Sequence, residues 1–287
     1  MTFFRSRFLR ALIKSRSGLF GMVLLLAFLG AALMAPWLDL PNPVRGDLKA
    51  RLAPPTWTSP LSPGAHPLGT DQLGRDILSR IIYGSQITLS VAASAVVLGG
   101  IVGVLLGIVA GYCGGMVDRI LMRLVDIQLA IPLMLLALLV VAALGPNLTN
   151  LIIVLAVTSW IRYARIIRGQ VLSLREREFV LSARAISAST SRIMLRHILP
   201  NVLTPALVVA TLELARVIIM DAALSFLGLG VQPPTASWGR MLAEGRVYIS
   251  SAWWIVTFPG LAILLTVLSV NLVGDWLRDY FDPRLRT

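Results

Sequence analysis

The chain has 287 residues, 56% of them hydrophobic and 14% charged, at a mean hydropathy of +0.80. A soluble globular domain carries about 25% charged residues, so this composition excludes that class and indicates a polytopic membrane protein with little mass outside the bilayer. The net charge of +12 is parcelled out between apolar runs rather than clustered on one folded surface, which excludes a nucleic-acid-binding domain, and the single cysteine, Cys113, excludes an internal disulfide.

Residues 1–17 form a basic tail containing Arg5, Arg7, Arg10, Lys14 and Arg16. The uncharged run that follows, 18–38, is longer than the roughly 7–15 residues of a secretory signal core and reads as an uncleaved transmembrane anchor. A proline-rich segment, 39–86, comes next, and a core of five further spans fills 87–287. The six spans are predicted at 18–38, 87–111, 120–144, 148–167, 203–227 and 253–277, each near the ~20 residues that cross the hydrocarbon layer. Gly-Pro-Asn-Leu-Thr-Asn at 145–150 is a turn that separates the third span from the fourth. Orientation follows from lysine and arginine. With both termini inside, 18 of the 26 basic residues are cytoplasmic, 7 are external and Arg216 lies within the fifth span.

Gly99, Gly103, Gly107 and Gly111 recur every four residues on the second span, with Gly115 just beyond. Small residues at that spacing let two helix backbones approach in lipid, so the stripe predicts a packing seam rather than a cargo site. Pro132 should kink the third span and free a carbonyl, whereas Pro205 falls in the first turn of the fifth, where a missing N–H costs little. A charge at mid-bilayer costs at least about 2.5–3.5 kcal/mol, so Glu213, Arg216 and Asp221 each need a partner, a cavity or the interface. Glu213 and Arg216 are three apart and can pair on one helix face, either as a neutralised structural pair or as part of a polar pathway. Asp126 reads as an interfacial partner of Arg123 and Arg119.

The cytoplasmic segment 168–202 is long and basic. It predicts a helix from Glu178 to about Ile186, a break at 187–191 where Ser and Thr favour turns, and a second short helix to His197 that Pro200 stops. Ser182, Ala183, Ala185 and Ala188 are small enough to admit another protein's surface, and Arg184, Arg192 and Arg196 can pair with acidic groups there. A basic loop held by anionic lipid is the alternative reading.

This stretch resembles the Glu-Ala-Ala loop of binding-protein-dependent ABC importer permeases. Leu181, Ser182 and Ala183 stand at the triplet, Ser187 at the family's glycine, and Leu199-Pro200 match. Three further stretches are similar to the dipeptide, oligopeptide and nickel permease group, and closest to dipeptide permeases. They are His66-Pro-Leu-Gly-Thr-Asp-Gln-Leu-Gly-Arg-Asp-Ile-Leu-Ser-Arg80, Leu224-Ser-Phe-Leu-Gly-Leu-Gly-Val-Gln-Pro-Pro234 with Ser237-Trp-Gly-Arg-Met-Leu242, and Asn271-Leu-Val-Gly-Asp-Trp-Leu-Arg-Asp-Tyr-Phe-Asp-Pro-Arg284. The resemblance implies an all-α, six-helix, type I (MetI-like) importer permease in a bacterial inner membrane. It also implies a sister permease as heterodimer partner, two ABC ATPase subunits against the loop, and a periplasmic substrate-binding protein outside. ATP and magnesium would belong to the ATPase subunits, leaving this chain with no cofactor, metal or catalytic residue of its own.

The residues agree on that last point. There is no Gly-x-x-x-x-Gly-Lys-[Ser/Thr] phosphate loop, and His66, His197 and Cys113 cannot be assembled into a triad or metal cluster. A secondary transporter fits the composition equally well but predicts internal repeats, and it leaves 168–202 without a role. Dipeptides, longer peptides, glutathione and nickel chelates all remain open as cargo.

Overall fold

The computed structural model describes residues 10–58 and 66–281. The tail residues Arg5 and Arg7 and the terminal Pro283-Arg284 lie outside them. The described residues form helices joined by turns, with one isolated β-bridge between Thr70 and Asp76. In chain order the helices are α1 (Arg16–Met34), α2 (Ile77–Cys113), α3 (Gly115–Ala130), α4 (Leu133–Leu144), α5 (Leu148–Leu174), α6 (Glu178–Ala185), α7 (Leu199–Phe226), α8 (Trp238–Gly245) and α9 (Trp254–Phe281).

Short polar side chains start most of the long helices by satisfying first-turn N–H groups. Ser15 accepts from Gly18 N at 3.1 Å, Asp76 from Ser79 N at 2.7 Å, Asn147 from Asn150 N at 2.8 Å and Ser237 from Arg240 N at 3.2 Å. Gly114 (φ +65°) and Gly145 (φ +83°) end α2 and α4 in a backbone region that a Cβ disfavours.

Five helices are long and apolar enough to cross a membrane: α1 with its 3-10 extension to Trp37, α2, α5, α9, and α7 together with the residues leading into it from Thr190. The expected third span, 120–144, is not a kinked helix. It is two helices, α3 and α4, bent by 90° at a break, and they make a sixth crossing only if counted together. Proline is the cause. Pro132 lacks an N–H and crowds the residue before it, and Ile131 accordingly leaves the helical region (φ −87°, ψ 123°).

Pro205 also differs from expectation. It lies inside α7, because the helix begins at Leu199 with Pro200 in its first turn. Nor does Pro200 stop the preceding helix. A π-helical stretch, Ile193–Ile198, widens the backbone just before it, and Leu199 N–H donates to Met194 O, five residues back. The polypeptide is therefore helical without a gap from Thr190 to Phe226.

The core sits between α2, α5, α7 and α9. The α2 glycines face α5. An added Cβ would lie 2.8 Å from Ala156 O at Gly99, 2.3 Å from Trp160 O at Gly103, 2.8 Å from Ala164 O at Gly107 and 2.8 Å from Val171 Cβ at Gly111. Both sets of positions ascend together, so α2 and α5 run parallel with their backbones nearly touching. Gly115 is not part of this seam: it has φ +56°, and a methyl group placed on it would meet nothing within 4 Å. A second close approach, which periodicity did not mark, places Gly18 and Gly21 of α1 against Trp276 and Leu272 of α9.

Candidate functional site

At the basic end of the bundle, α6 and the turn after it form a hairpin against the start of α7. Glu178 occupies the first turn of α6, where its charge complements the helix dipole. Val180 and Ala183 are buried and belong to the same apolar cluster as Ile193 and Ile198. The turn is a Schellman motif: Ala188 N–H donates to Ala183 O at 3.1 Å, and Ser187 N–H donates to Arg184 O at 2.9 Å. The residue at the left-handed position is Ser187, with φ +57°. Serine thus occupies the backbone conformation for which glycine is the usual solution.

Several side chains point differently from expectation. Ala183 is buried and Ala188 half-buried, so their small size serves the hairpin's own packing and not an incoming surface. Arg184 donates through Nε to the Tyr112 hydroxyl at 3.3 Å and lies 5.0 Å from the centre of that ring. The face left open carries Ser182, Ala185, Ser187 and Ile186, the last 81% exposed, flanked by exposed Arg192. Leu199 packs on the core and Pro200 is exposed.

Within the membrane region, the Glu213–Arg216 pair has a third member. Arg216 Nη1 donates to Glu213 Oε2 at 3.3 Å, and Arg162 Nε lies 3.2 Å from Glu213 Oε1. Glu213 is 1% exposed while Arg162 is 53% exposed. Two cations therefore share one carboxylate, and the group is not self-neutralised. Asp221 stands apart, eight residues along α7 and about 12 Å up the axis. It is fully buried, with Ser225 Oγ 3.5 Å from Oδ1 and no partner for Oδ2 among the described residues.

Arg162 and Arg165 lie on α5, within the span predicted at 148–167. Arg162, Arg165 and Arg168 recur every three residues and face α3 and α7. Asp126 pairs with Arg165 at 2.7 Å, not with Arg119 or Arg123, and Asp118 accepts two hydrogen bonds from Arg168, one of them 2.6 Å long. Gln128 ties the end of α3 to α5, donating to Val157 O at 2.6 Å and accepting from Trp160 Nε1 at 3.0 Å. A cavity of about 530 Å³ lined by Asp118, Arg119, Arg123, Asp126 and Arg168 opens on this face.

At the opposite end of α2 is an ionic clasp that the sequence pattern does not reveal. Arg75 and Arg80 both pair with Asp71, and both reach Glu244 of α8, at 2.8 and 3.0 Å, while Arg240 meets Glu244 at 3.0 Å. Burial pushes the Glu244 carboxyl up, but Arg80, Arg75 and Arg240 together outweigh it and hold the group below the usual glutamate range. Nearby, Trp254 Nε1 donates to Thr70 O at 3.0 Å, and His66 Nδ1 lies 2.9 Å from Asp76 Oδ1. Asp71, Arg75 and Arg80 are visible in the sequence as a dense run of charge next to glycines. Their partners lie some 160 residues away and are not. Among the described residues, no group of three or more His, Cys, Asp or Glu side chains is arranged to hold a metal ion.

The chain's relatives agree with this architecture. Residues 103–287 match the family model described as "Binding-protein-dependent transport system inner membrane component". The chain is 44% identical over 279 residues to the di/tripeptide transport system permease protein DppC of Pseudomonas aeruginosa (strain UCBPP-PA14), covering 97% of this chain and 92% of that protein. It is 46% identical over 273 residues to the dipeptide transport system permease protein DppC of Escherichia coli (strain K12), covering 95% and 91%. Among solved structures, a chain of the inward-facing MetNI methionine ABC transporter superposes with a TM-score of 0.56 at 19% identity, over 71% of this chain and 97% of that one. At that identity the likeness is one of fold.

Proposed function

The chain belongs to the family of binding-protein-dependent transport system inner membrane components, and from that premise we propose that it is the permease subunit of an ATP-driven peptide importer in a bacterial plasma membrane. In this reading a sister permease completes the pathway, and two ATPase subunits, which hold the ATP and magnesium, engage the hairpin at 178–200. A substrate-binding protein delivers peptide to the outer segment. Both termini lie on the cytoplasmic side.

One observation carries the mechanism. The second arm of the exposed hairpin, from Thr190, runs without a helical break into the helix that holds Glu213. From Ile193 to Glu213 that path is about 30 Å long at 1.5 Å per residue. A push on Ile186 and Ser182 would pass to that arm through the turn and the apolar cluster of Val180, Ala183, Ile193 and Ile198, and from there to the middle of the bundle. The seam between α2 and α5 confines the response, because neither helix can move toward the other. Closure of the ATPase pair would swing the hairpins, tilt α7 relative to α5, and expose the face bearing Arg162, Arg165 and Glu213 to alternate sides.

The test is reconstitution with the ATPase subunits, sister permease and binding protein. Ala185→Glu places a charge in the exposed docking face. The expected result is a chain that still inserts and stays in the membrane, with binding-protein-stimulated ATP hydrolysis and peptide uptake both lost. Normal stimulated hydrolysis and uptake in that variant would overturn the coupling role, and failure of the ATPase subunits to co-purify with the unsubstituted chain would overturn the assembly.

A further inference from the structure

We infer that Arg162, poised with Arg216 on Glu213, is a carboxylate-binding residue for the cargo as it crosses the membrane. The inference rests on the reading of the chain as an importer permease. It names a contact within the pathway that residue pattern and relatives leave unassigned.

The argument is one of charge balance. Arg162 and Glu213 lie on α5 and α7, two helices long and apolar enough to cross a membrane, where an unmatched charge is costly. The next two arginines of α5 each have an acid of their own on α3, Arg165 with Asp126 and Arg168 with Asp118. Of these three acids only Glu213 is shared by two arginines, so among the described residues its site lacks one negative charge. The deficit falls on Arg162. Glu213 is buried and its Oε2 accepts from Arg216, whereas Oε1 has no aligned hydrogen bond although Arg162 Nε is only 3.2 Å away. Among the described residues Arg162 has no other ion-pair partner, and its side chain is 53% exposed.

A half-exposed arginine in that position faces water, an anion or the sister permease, not hydrocarbon. Its guanidinium can turn from a poorly aligned contact with Glu213 to a two-pronged one with an incoming carboxylate, which is the geometry arginine favours. Every linear peptide with a free C-terminus carries that group. Glu213 then acts as a placeholder. It keeps Arg162 oriented when the pathway is empty and limits how tightly the cargo is held, so that release remains fast. A fixed acid on the sister permease would satisfy the same deficit permanently, and that is the competing outcome of the test.

The experiment uses the complete importer in proteoliposomes with Arg162→Gln and Arg162→Lys. The probes are a labelled dipeptide with a free carboxylate and the same dipeptide as its C-terminal amide, each at a concentration that saturates the binding protein. Loss of a charge-assisted pair predicts a drop of roughly tenfold or more in dipeptide import for Arg162→Gln. Import of the amide should stay within about twofold, and Arg162→Lys should fall between, because it keeps the charge but loses the planar fork.

Equal import of the dipeptide by Arg162→Gln and the unsubstituted importer overturns the inference. So does an equal fall for dipeptide and amide, which marks a structural role. Failure of Arg162→Gln to assemble, with assembly restored in Arg162→Lys, assigns the residue to a sister-subunit acid and also overturns it. If the unsubstituted complex shows no ATP-dependent peptide import, the functional reading itself fails, which is a different result from an active importer indifferent to Arg162.

Discussion

Replacing Gly103 with alanine tests the seam that positions the arginine-bearing face. The added Cβ would sit 2.3 Å from Trp160 O and 2.5 Å from Tyr163 Cβ. An ordinary carbon–oxygen approach is about 3.3–3.6 Å, so α2 and α5 must part by about 1 Å. A gap of that size forfeits roughly a quarter to a half of the dispersion well for each contacting atom pair nearby. Overpacking of this kind costs about 1–3 kcal/mol, and the upper part of that range applies here because the obstruction is backbone and cannot rotate away. Gly169→Ala on α5 is the control. Its Cβ would meet nothing within 4 Å, and alanine in a helix interior is favoured over glycine by about 0.5–1 kcal/mol. Thermal unfolding of the purified chain in detergent, followed through labelling of buried sites, should show Gly103→Ala melting below the parent and Gly169→Ala at or above it. Equal melting temperatures for the two variants would refute the close approach.

Two further outcomes follow from other sites. Ser187→Gly removes the strain of a left-handed serine, worth about 1–2 kcal/mol, and should raise the melting temperature while leaving uptake intact; Ser187→Val should lower it, and the reverse order would show that the turn does not depend on φ. The clasp around Glu244 has a defined pH dependence. A carboxyl held below its usual range contributes stability that is complete above the ordinary glutamate pKa and disappears as pH falls through the lowered value, so the segment 66–80 should resist proteolysis unchanged from about pH 8 to 5 and loosen only in stronger acid. Glu244→Gln should remove that acid-dependent step and make the segment more sensitive at neutral pH; an unchanged acid profile in this variant would assign the step to another group.

The parts of this architecture legible in the sequence are those set by local spacing. A glycine every fourth residue can only lie along one side of a helix, and the 145–147 turn announces itself by Gly-Pro-Asn. The hairpin's break is announced by its Ser and Thr, although it falls at 186–189 and the helix resumes at Thr190, earlier than the expected 187–191. The orientation of its alanines is not, since a small residue suits either an own-core contact or a partner's. Arg162 and Arg165 fall inside the predicted span 148–167, but their acidic partners on α7 and α3 are set by the folded packing and cannot be read from spacing. Pro132 indicates a bend but not its size, because proline specifies only the local backbone of Ile131. The clasp escapes because residues 71–80 meet 240–244 only through the folded topology.

The length of α2 has a mechanical consequence. At 37 residues it is about 55 Å long, well beyond the ~30 Å hydrocarbon layer. One terminus carries Arg80 of the ionic clasp, and the other ends one residue past Tyr112, which holds Arg184 of the hairpin. A rod pivoting about its centre by roughly 10° would displace each tip by about 5 Å in opposite directions. A single unbroken helix thus joins the clasp to the hairpin, and a tilt imposed at one end would carry the other in the opposite direction.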